Sequence, residues 1–505
     1  MLQCENFKRR MMAVMSLEVI CLANDRYWKY ILDAGQNCRA IEHYLNPRKC
    51  CACLVEAGAI PALINLLVSD EPELLSRCAV ILYNIAQYGN KDIISKYNGI
   101  PALINLLALD IENALVNVMN CIRVLCIGNE GNQRAVKDHN GIQHLIRFLS
   151  TDSDVLQAVS SAAIAEVARG NREVQDAIAQ EGAIPHLVAL FKGKHLSVQM
   201  KGAVAVESLA SYNPPIQKAF LENTLTKYLL KLLKAFQIDI KEQGAAALWA
   251  LAGQTLKQQK YMAEQIGYNF IINMLLSPSA KMQYVGGEAV IALSKDSRMH
   301  QNQICEGNGI APLVRLLRIN KIAEGTLLSV IRAVGSICIG VAHTSNPISQ
   351  QFIVDENAFP VLIQLLRDHP SPTIKVEAAF FLACIVLGND ELQKELQDNE
   401  GFKYSDILYL LHSTDKVCTA CSCALGYLTY NANGFLILLK ECRNKPNQFL
   451  RIRNNISRDA SINPAFLKEF QMQQMIGLPS LSLEKNGGPS INPVFKKGNY
   501  FFFYF

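Results

Sequence analysis

Residues 58–67 read GAIPALINLL and residues 98–107 read NGIPALINLL, two nearly identical decamers forty positions apart. A fixed internal period outranks any short motif, because it changes how the whole chain is folded. With Ile60 as a register mark, the same slot recurs at Ile100, Ile142, Ile184, Thr226, Tyr268, Ile310, Phe359 and Tyr404. The spacings are 40, 42, 42, 42, 42, 42, 49 and 45, which makes nine modules.

Each module has the same internal order. A short apolar stretch such as KDIISKYN leads to a glycine just before the slot (Gly58, Gly99, Gly141, Gly182, Gly267, Gly309), where a sharp turn between helices favours a residue that tolerates positive φ. A helix of about ten residues is predicted to follow, its apolar positions recurring at three-and-four spacing. Proline at 61, 101, 185 and 360 suits its first turn, where a missing N–H is no loss. After a polar turn such as STDSD comes a longer third helix, as in VLQAVSSAAIAEVAR or IKEQGAAALWALAG, apolar nearly all round and so expected between neighbouring modules. Gly202, Gly244 and Gly286 fall in matching slots of that helix and are expected to let helices approach closely.

The composition agrees with helices packed on helices. Of the 505 residues 50% are apolar and 8% aromatic, with two tryptophans and a formal net charge of +5. Sixteen cysteines are scattered through apolar stretches such as NCIRVLCIG, where each acts as a small hydrophobe, a usage that points to a reducing compartment. The start, with Lys8, Arg9 and Arg10 before an apolar run, imitates a secretion signal, but Glu18 interrupts the run and no small-residue cleavage site follows. No stretch of about 18 apolar residues appears.

The period and the three-helix layout resemble the armadillo repeat, from about residue 12 to residue 442; HEAT repeats share the period but have two helices. The resemblance implies an all-α, right-handed superhelical solenoid and an intracellular interaction module, cytoplasmic or nuclear, and it implies no reaction. The expected organisation is degenerate capping helices or a truncated repeat over 1–57, the solenoid over 58–442, and a basic, largely disordered tail over 443–505. Two irregularities stand out. From Gly35 to Gly58 there are 23 residues where a module needs 42, which fits either a half-module cap or a missing segment. Between Ile310 and Phe359 seven extra residues, near GVAHTSNPISQQ, predict one long turn.

The sequence carries no persuasive catalytic or metal-binding signature. There is no phosphate-binding G-x-x-x-x-G-K-[ST], no H-E-x-x-H, and no nucleophile elbow. Cys418, Cys421 and Cys423 with His412, and Cys50, Cys51 and Cys53, lie where helices are expected and read as buried structural thiols rather than a zinc site. No cofactor or small-molecule substrate is implied, and the chain reads as a non-enzyme. Asn455-Ile-Ser457 matches a glycosylation sequon, idle in a reducing compartment.

What remains is surface. In armadillo solenoids the third helices line a concave groove, and in those carrying nuclear import cargo this helix repeats a Trp with an Asn four residues later. Here the Asn slot holds Asn84, Val124, Glu166, Ser208, Ala250 and Ala292, and the slot four earlier Val80, Asn120, Ala162, Val204, Ala246 and Glu288. Arg77, Asn117, Val159, Lys201, Gln243 and Val285 lie one turn further back. The ladder is absent, and Trp249 falls one residue off the Asn slot. The mixed row of Arg77, Asn84, Asn117, Asn120, Glu166, Lys201, Ser208, Gln243 and Glu288 is the expected partner-binding surface, suited to local recognition of proteins. A second expectation concerns the tail: ten basic and four acidic residues between Lys440 and Tyr500, with Arg451, Arg453 and Arg458 foremost, would meet an anionic membrane or nucleic acid.

Overall fold

The computed structural model describes residues 58–319, 321–339, 344–411 and 415–428, together with residues 8, 11–15, 17, 51, 55, 56, 413 and 437. Nearly all of them are helical or in the turns between helices; among the described residues the only strand-like pairing is an isolated bridge between Ile339 and Ser345. The chain forms two compact units, residues 1–254 with modules one to five and residues 255–505 with modules six to nine.

In the first unit the second helices are Ala59–Leu66, Gly99–Leu106, Gly141–Phe148, Ala183–Leu190 and Thr226–Leu232. The third helices are Pro72–Gln87, Glu112–Cys126, Asp154–Ala168, Leu196–Ala210 and Ile238–Ala252, and from module two onward each module opens on a first helix: Lys91–Lys96, Glu130–Asp138, Arg172–Gln180 and Pro214–Glu222. In the second unit the first helices are Leu256–Ile266, Arg298–Glu306, Pro347–Asp355 and Asp390–Asp398. The second helices there are Tyr268–Leu276, Ile310–Leu317, Ala358–Asp368 and Tyr404–Leu410, and the third helices are Ala280–Ser294, Glu324–Cys338, Pro372–Val386 and Asp415–Leu428. Within each unit every third helix packs against the third helix of the next module. Burial on two sides explains their all-round apolarity: in Pro372–Val386 every residue from Val376 to Val386 is buried.

The turn before the second helix is built in two ways. Gly58 and Gly182 take the left-handed conformation themselves, at φ 72° and 84°. In modules two, three, seven and eight an asparagine does so instead, Asn98, Asn140, Asn308 and Asn357 at φ 57–60°, using the tolerance of Asn for that region. The expectation that Gly99, Gly141 and Gly309 supply positive φ is therefore corrected: they supply space. A Cβ at Gly141 would lie 2.9 Å from both Val136 Cγ1 and the Val136 carbonyl oxygen, and one at Gly309 would lie 2.7 Å from Ile304 Cγ2. The third-helix glycines also allow close approach, since a Cβ at Gly244 would stand 2.8 Å from Leu232 Cβ and one at Gly286 3.0 Å from Leu275 Cδ2.

The seven extra residues between Ile310 and Phe359 are not one turn. Third-helix starts Ala280 and Glu324 are 44 apart and first-helix starts Arg298 and Pro347 are 49 apart, so two residues lengthen the turn before Glu324 and five the turn after Cys338. The base of the second turn is pinned by Asn346 N–H to Cys338 O at 2.8 Å and by Arg298 Nη2 to Ser345 O at 2.7 Å.

A buried amide ladder ties the modules together, and the sequence reading above did not anticipate it. Gln133 is 2% exposed; its Nε2 donates to Glu166 O and Arg169 O, each at 3.0 Å, and its Oε1 accepts from Asn171 Nδ2 at 3.1 Å. Gln175 repeats this with Ser208 O and Asn213, and Gln217 donates to Ala210 O and Ala250 O. In the second unit Gln301 donates to Ser294 O, Ser336 O and Ile339 O at 2.9, 3.2 and 2.7 Å while accepting from Asn346; Gln350 reaches Cys384 O and Leu387 O, and Gln393 reaches Leu428 O. Each glutamine thus satisfies carbonyls that third-helix C-termini leave without intrahelical partners. A buried acceptor stripped of its donor costs about 1–3 kcal/mol. Replacing Gln301 with Leu is therefore expected to lower unfolding stability by about 2–3 kcal/mol in urea titration, whereas Gln351→Leu, at an exposed outer position, should stay within about 0.5 kcal/mol.

Candidate functional site: the third-helix face

The predicted surface residues fall on one row of each third helix, but they are not equally available. Asn84 and Ser208 are 8% and 2% exposed, and the Asn84 amide nitrogen and the Ser208 hydroxyl are buried without hydrogen-bond partners. The expectation that these two meet a partner is corrected: both side chains are buried. Arg77, Asn117, Asn120, Glu166, Lys201 and Gln243 are all half-buried. Arg77 Nη2 pairs with Glu73 at 2.8 Å, one turn back on its own helix, and Asn117 Nδ2 donates to Ser76 Oγ at 2.9 Å across the seam between modules one and two. Arg123 Nε donates to Asn120 Oδ1 at 3.4 Å, and Glu166 receives Arg169 at 3.1 Å. Gln243 Nε2 donates to the Glu242 carboxylate at 3.4 Å while its own Oε1 is buried without a partner. Among the described residues Lys201 has no ion-pair or hydrogen-bond partner.

Glu288 lies on the second unit, and there the face is charged in a way the six-module register did not reach. Continuing the rows by helix starts, Arg332 stands opposite Glu288 in register and Glu377 continues the row of Ser329. Arg332 Nη2 meets Glu377 Oε1 at 2.8 Å and its Nε the same oxygen at 3.3 Å, with the glutamate side chain 10% exposed. Burial pushes the Glu377 carboxyl above its ordinary range and Arg332 pulls it back. Burial likewise raises Glu288, opposed by a hydrogen bond with Ser329 and by the charge of Arg332. The Arg332 guanidinium thus pairs with the buried Glu377 carboxyl and acts through its charge on the half-buried Glu288. Glu377 escaped the sequence reading because the register shift of module eight hid its alignment, although counting from helix starts would have recovered it.

The Armadillo/beta-catenin-like repeat family matches residues 47–87. The Ankyrin and armadillo repeat-containing protein of Homo sapiens is 64% identical over an alignment covering 99% of this chain and 45% of that protein, and its Mus musculus counterpart is 61% identical over 99% and 44%. Residues 47–87 thus match an armadillo repeat, and nearly the whole chain is similar to part of a protein named for such repeats. The chain spans somewhat less than half the length of these curated relatives. Among solved structures, the crystal structure of an engineered protein from the Northeast Structural Genomics Consortium superposes with a TM-score of 0.65 over 84% of this chain and 96% of its own, at 23% identity, a likeness of armadillo fold alone.

Reactive groups are scarce on the armadillo units. Burial pushes the thiols of Cys121, Cys126, Cys305 and Cys338 upward, which keeps them protonated and poor nucleophiles. Among the described residues no group of three His, Cys, Asp or Glu side chains is placed to hold a metal ion. Of the two cysteine clusters only Cys51 and Cys421 have described side chains; both are buried, and the Cys421 thiol donates to Ile407 O at 3.0 Å. Arg451, Arg453 and Arg458 lie outside the described residues, as does His412.

The Arg332 guanidinium gives a directional test. Both glutamates sit above the ordinary value of 4.5, so the folded chain binds more protons than the unfolded one between 4.5 and the raised values. Their contribution to stability therefore declines as pH rises through that window. Removing the cation with Arg332→Met leaves the buried Glu377 carboxyl without its partner and the half-buried Glu288 without a nearby cation, and the expected loss is about 2–4 kcal/mol at pH 7. Thermal unfolding at pH 7 and pH 5 should show the variant recovering much of that loss on acidification, with the wild type changing less.

Proposed function

We propose that the chain is a non-catalytic interaction scaffold which engages partner proteins on the third-helix faces of its armadillo units, inside a reducing compartment. The observation that carries this reading is the character of the face: half-buried polar residues of both signs, fixed on rigid helices, whose pairings are partly exposed. The Arg77–Glu73 pair leaves 66% of the Glu73 side chain exposed, and Lys201 is unpaired among the described residues. Exposed ion pairs exchange at little net cost, so a partner's carboxylates and amides compete readily for these groups. Their irregular order from module to module supports local recognition of one or a few partners rather than a periodic peptide clamp. The buried, protonated thiols and the absence of a nucleophile motif support a binding rather than a chemical role.

The experiment is capture by proximity labelling with the full chain and with a variant reversing three charges, Arg77→Glu, Glu166→Lys and Lys201→Glu. The triple variant is expected to lose most reproducibly captured proteins and to weaken purified ones more than about tenfold, since charge reversal at a packed interface costs several kcal/mol. A control reversal at Lys218, an exposed residue on a first helix, is expected to retain them. Unchanged capture by the triple variant would remove the third-helix face from the proposal.

A further inference from the structure

Positive charge on the first unit is concentrated in modules four and five. Between Lys192 and Lys241 the chain carries eight lysines and three acids, a net of +5, equal to that of all 505 residues. Residues 192–206 and 223–241 together hold seven lysines with Asp239 as the single acid. Lys192, Lys194, Lys227, Lys231 and Lys234 are exposed, and among the described residues none enters an ion pair. Lys192 and Lys234 follow the second helices of modules four and five at equivalent positions, and Lys194 and Phe236 are equivalent in the turns that come next. Those turns lead into Leu196–Ala210 and Ile238–Ala252, which pack side by side, so the turns share one edge of the unit.

That edge is also apolar at its tip. Phe236 is 100% exposed, and along the same line of third-helix starts Val155, Leu196 and Ile238 are 51%, 44% and 41% exposed. Behind the tip, Lys227 and Lys231 lie over the Tyr228 ring at 4.9 and 5.6 Å from its centroid. A fully exposed phenylalanine forgoes the free energy of burying an aromatic side chain, and a cluster of unpaired like charges repels itself. A flat anionic surface with an apolar interior relieves both penalties at once.

We propose that this edge docks on an anionic phospholipid membrane, with Phe236 entering the boundary between headgroups and acyl chains and the five lysines facing the headgroup charge. The residue types favour lipid over the other polyanions. All five cations are lysines, point charges suited to a diffuse surface rather than the planar fork with which arginine grips a single phosphate or carboxylate. The companions of Phe236 are aliphatic, where single-stranded nucleic acid calls for further aromatic stacking platforms. An acidic peptide would leave the apolar tip uncovered.

The test is co-sedimentation of the full chain with vesicles of phosphatidylcholine containing about 30 mol% phosphatidylserine, beside pure phosphatidylcholine vesicles, a single-stranded oligonucleotide and polyglutamate, in low salt and in about 0.5 M NaCl, where the Debye length falls below about 5 Å. Binding to the anionic vesicles alone, reversed by salt, is expected. Each lysine removed should weaken it about fivefold, so Lys192→Gln with Lys234→Gln should lose more than tenfold. Phe236→Ser should weaken vesicle binding while leaving any attraction to polyglutamate unchanged, and Phe236→Trp should add emission that shifts to the blue on vesicle addition. All these positions are exposed, so the helical circular dichroism of each variant is expected to match the parent. Failure to bind anionic vesicles, vesicle binding insensitive to these substitutions, or equal binding of oligonucleotide or polyglutamate with no contribution from Phe236 would each overturn the proposal.

Discussion

One buried glutamine on the first helix of most modules carries hydrogen bonds that the remaining architecture depends on. Third helices are apolar on nearly every side, so hydrophobic packing fixes their association but says little about their axial alignment. Their C-terminal carbonyls are the polar groups that cannot be left behind. Gln133 and Gln301 bridge the ends of two successive third helices with a single side-chain amide, and the Asn that begins the next first helix closes the chain onto the glutamine oxygen. The link sets spacing and axial register together, because an amide reaches both carbonyl sets only when the helix ends are level. In the first unit the series ends at Gln217, whose Oε1 is buried without a partner, and the next capping position holds Thr255, the first residue of the second unit.

With the ends held, the turn before the second helix needs only a left-handed residue and room. Glycine serves both needs at Gly58 and Gly182, while Asn98–Gly99 and Asn140–Gly141 divide the task between two residues. The division has a physical basis: the asparagine side chain tolerates positive φ, but no Cβ fits against Val136 at the following position. The repetition of GAIPALINLL and NGIPALINLL is thus a repetition of packing. Ile60 and Ile100, each 1% exposed, fill the same cavity in consecutive modules.

Freedom from those packing demands lies elsewhere, on the exposed part of the third-helix row and on the turns that lead into it. The first unit uses its row for scattered polar residues of both signs, whereas the second draws Arg332 and Glu377 into a half-buried pair with Glu288 nearby in register. A buried ion pair is poor evidence of stability and good evidence of a fixed arrangement. The turn edge of modules four and five differs from both, with like charges and a bare aromatic ring on a rigid base.

Much of this was legible in the sequence. The period gave the number and order of modules, the three-and-four spacing gave the second helices, and all-round apolarity gave the position of the third. These are local properties, decided within about 42 residues by helix periodicity, proline and glycine. The ladder was in principle readable as Asn or Ser followed by Gln four residues later, at 129/133, 171/175, 213/217, 297/301 and 346/350, yet nothing local says that a polar residue on a helix should be buried. The tertiary structure alone decided which row members reach solvent, since Asn84 and Ser208 are buried while Glu166, in the same register, is half-buried. It alone paired Arg332 with Glu377, 45 residues apart, because their meeting depends on how seven extra residues divide between two turns. The sequence by itself determined the modules; the contacts between modules, being non-local, were settled only when third helices were placed side by side.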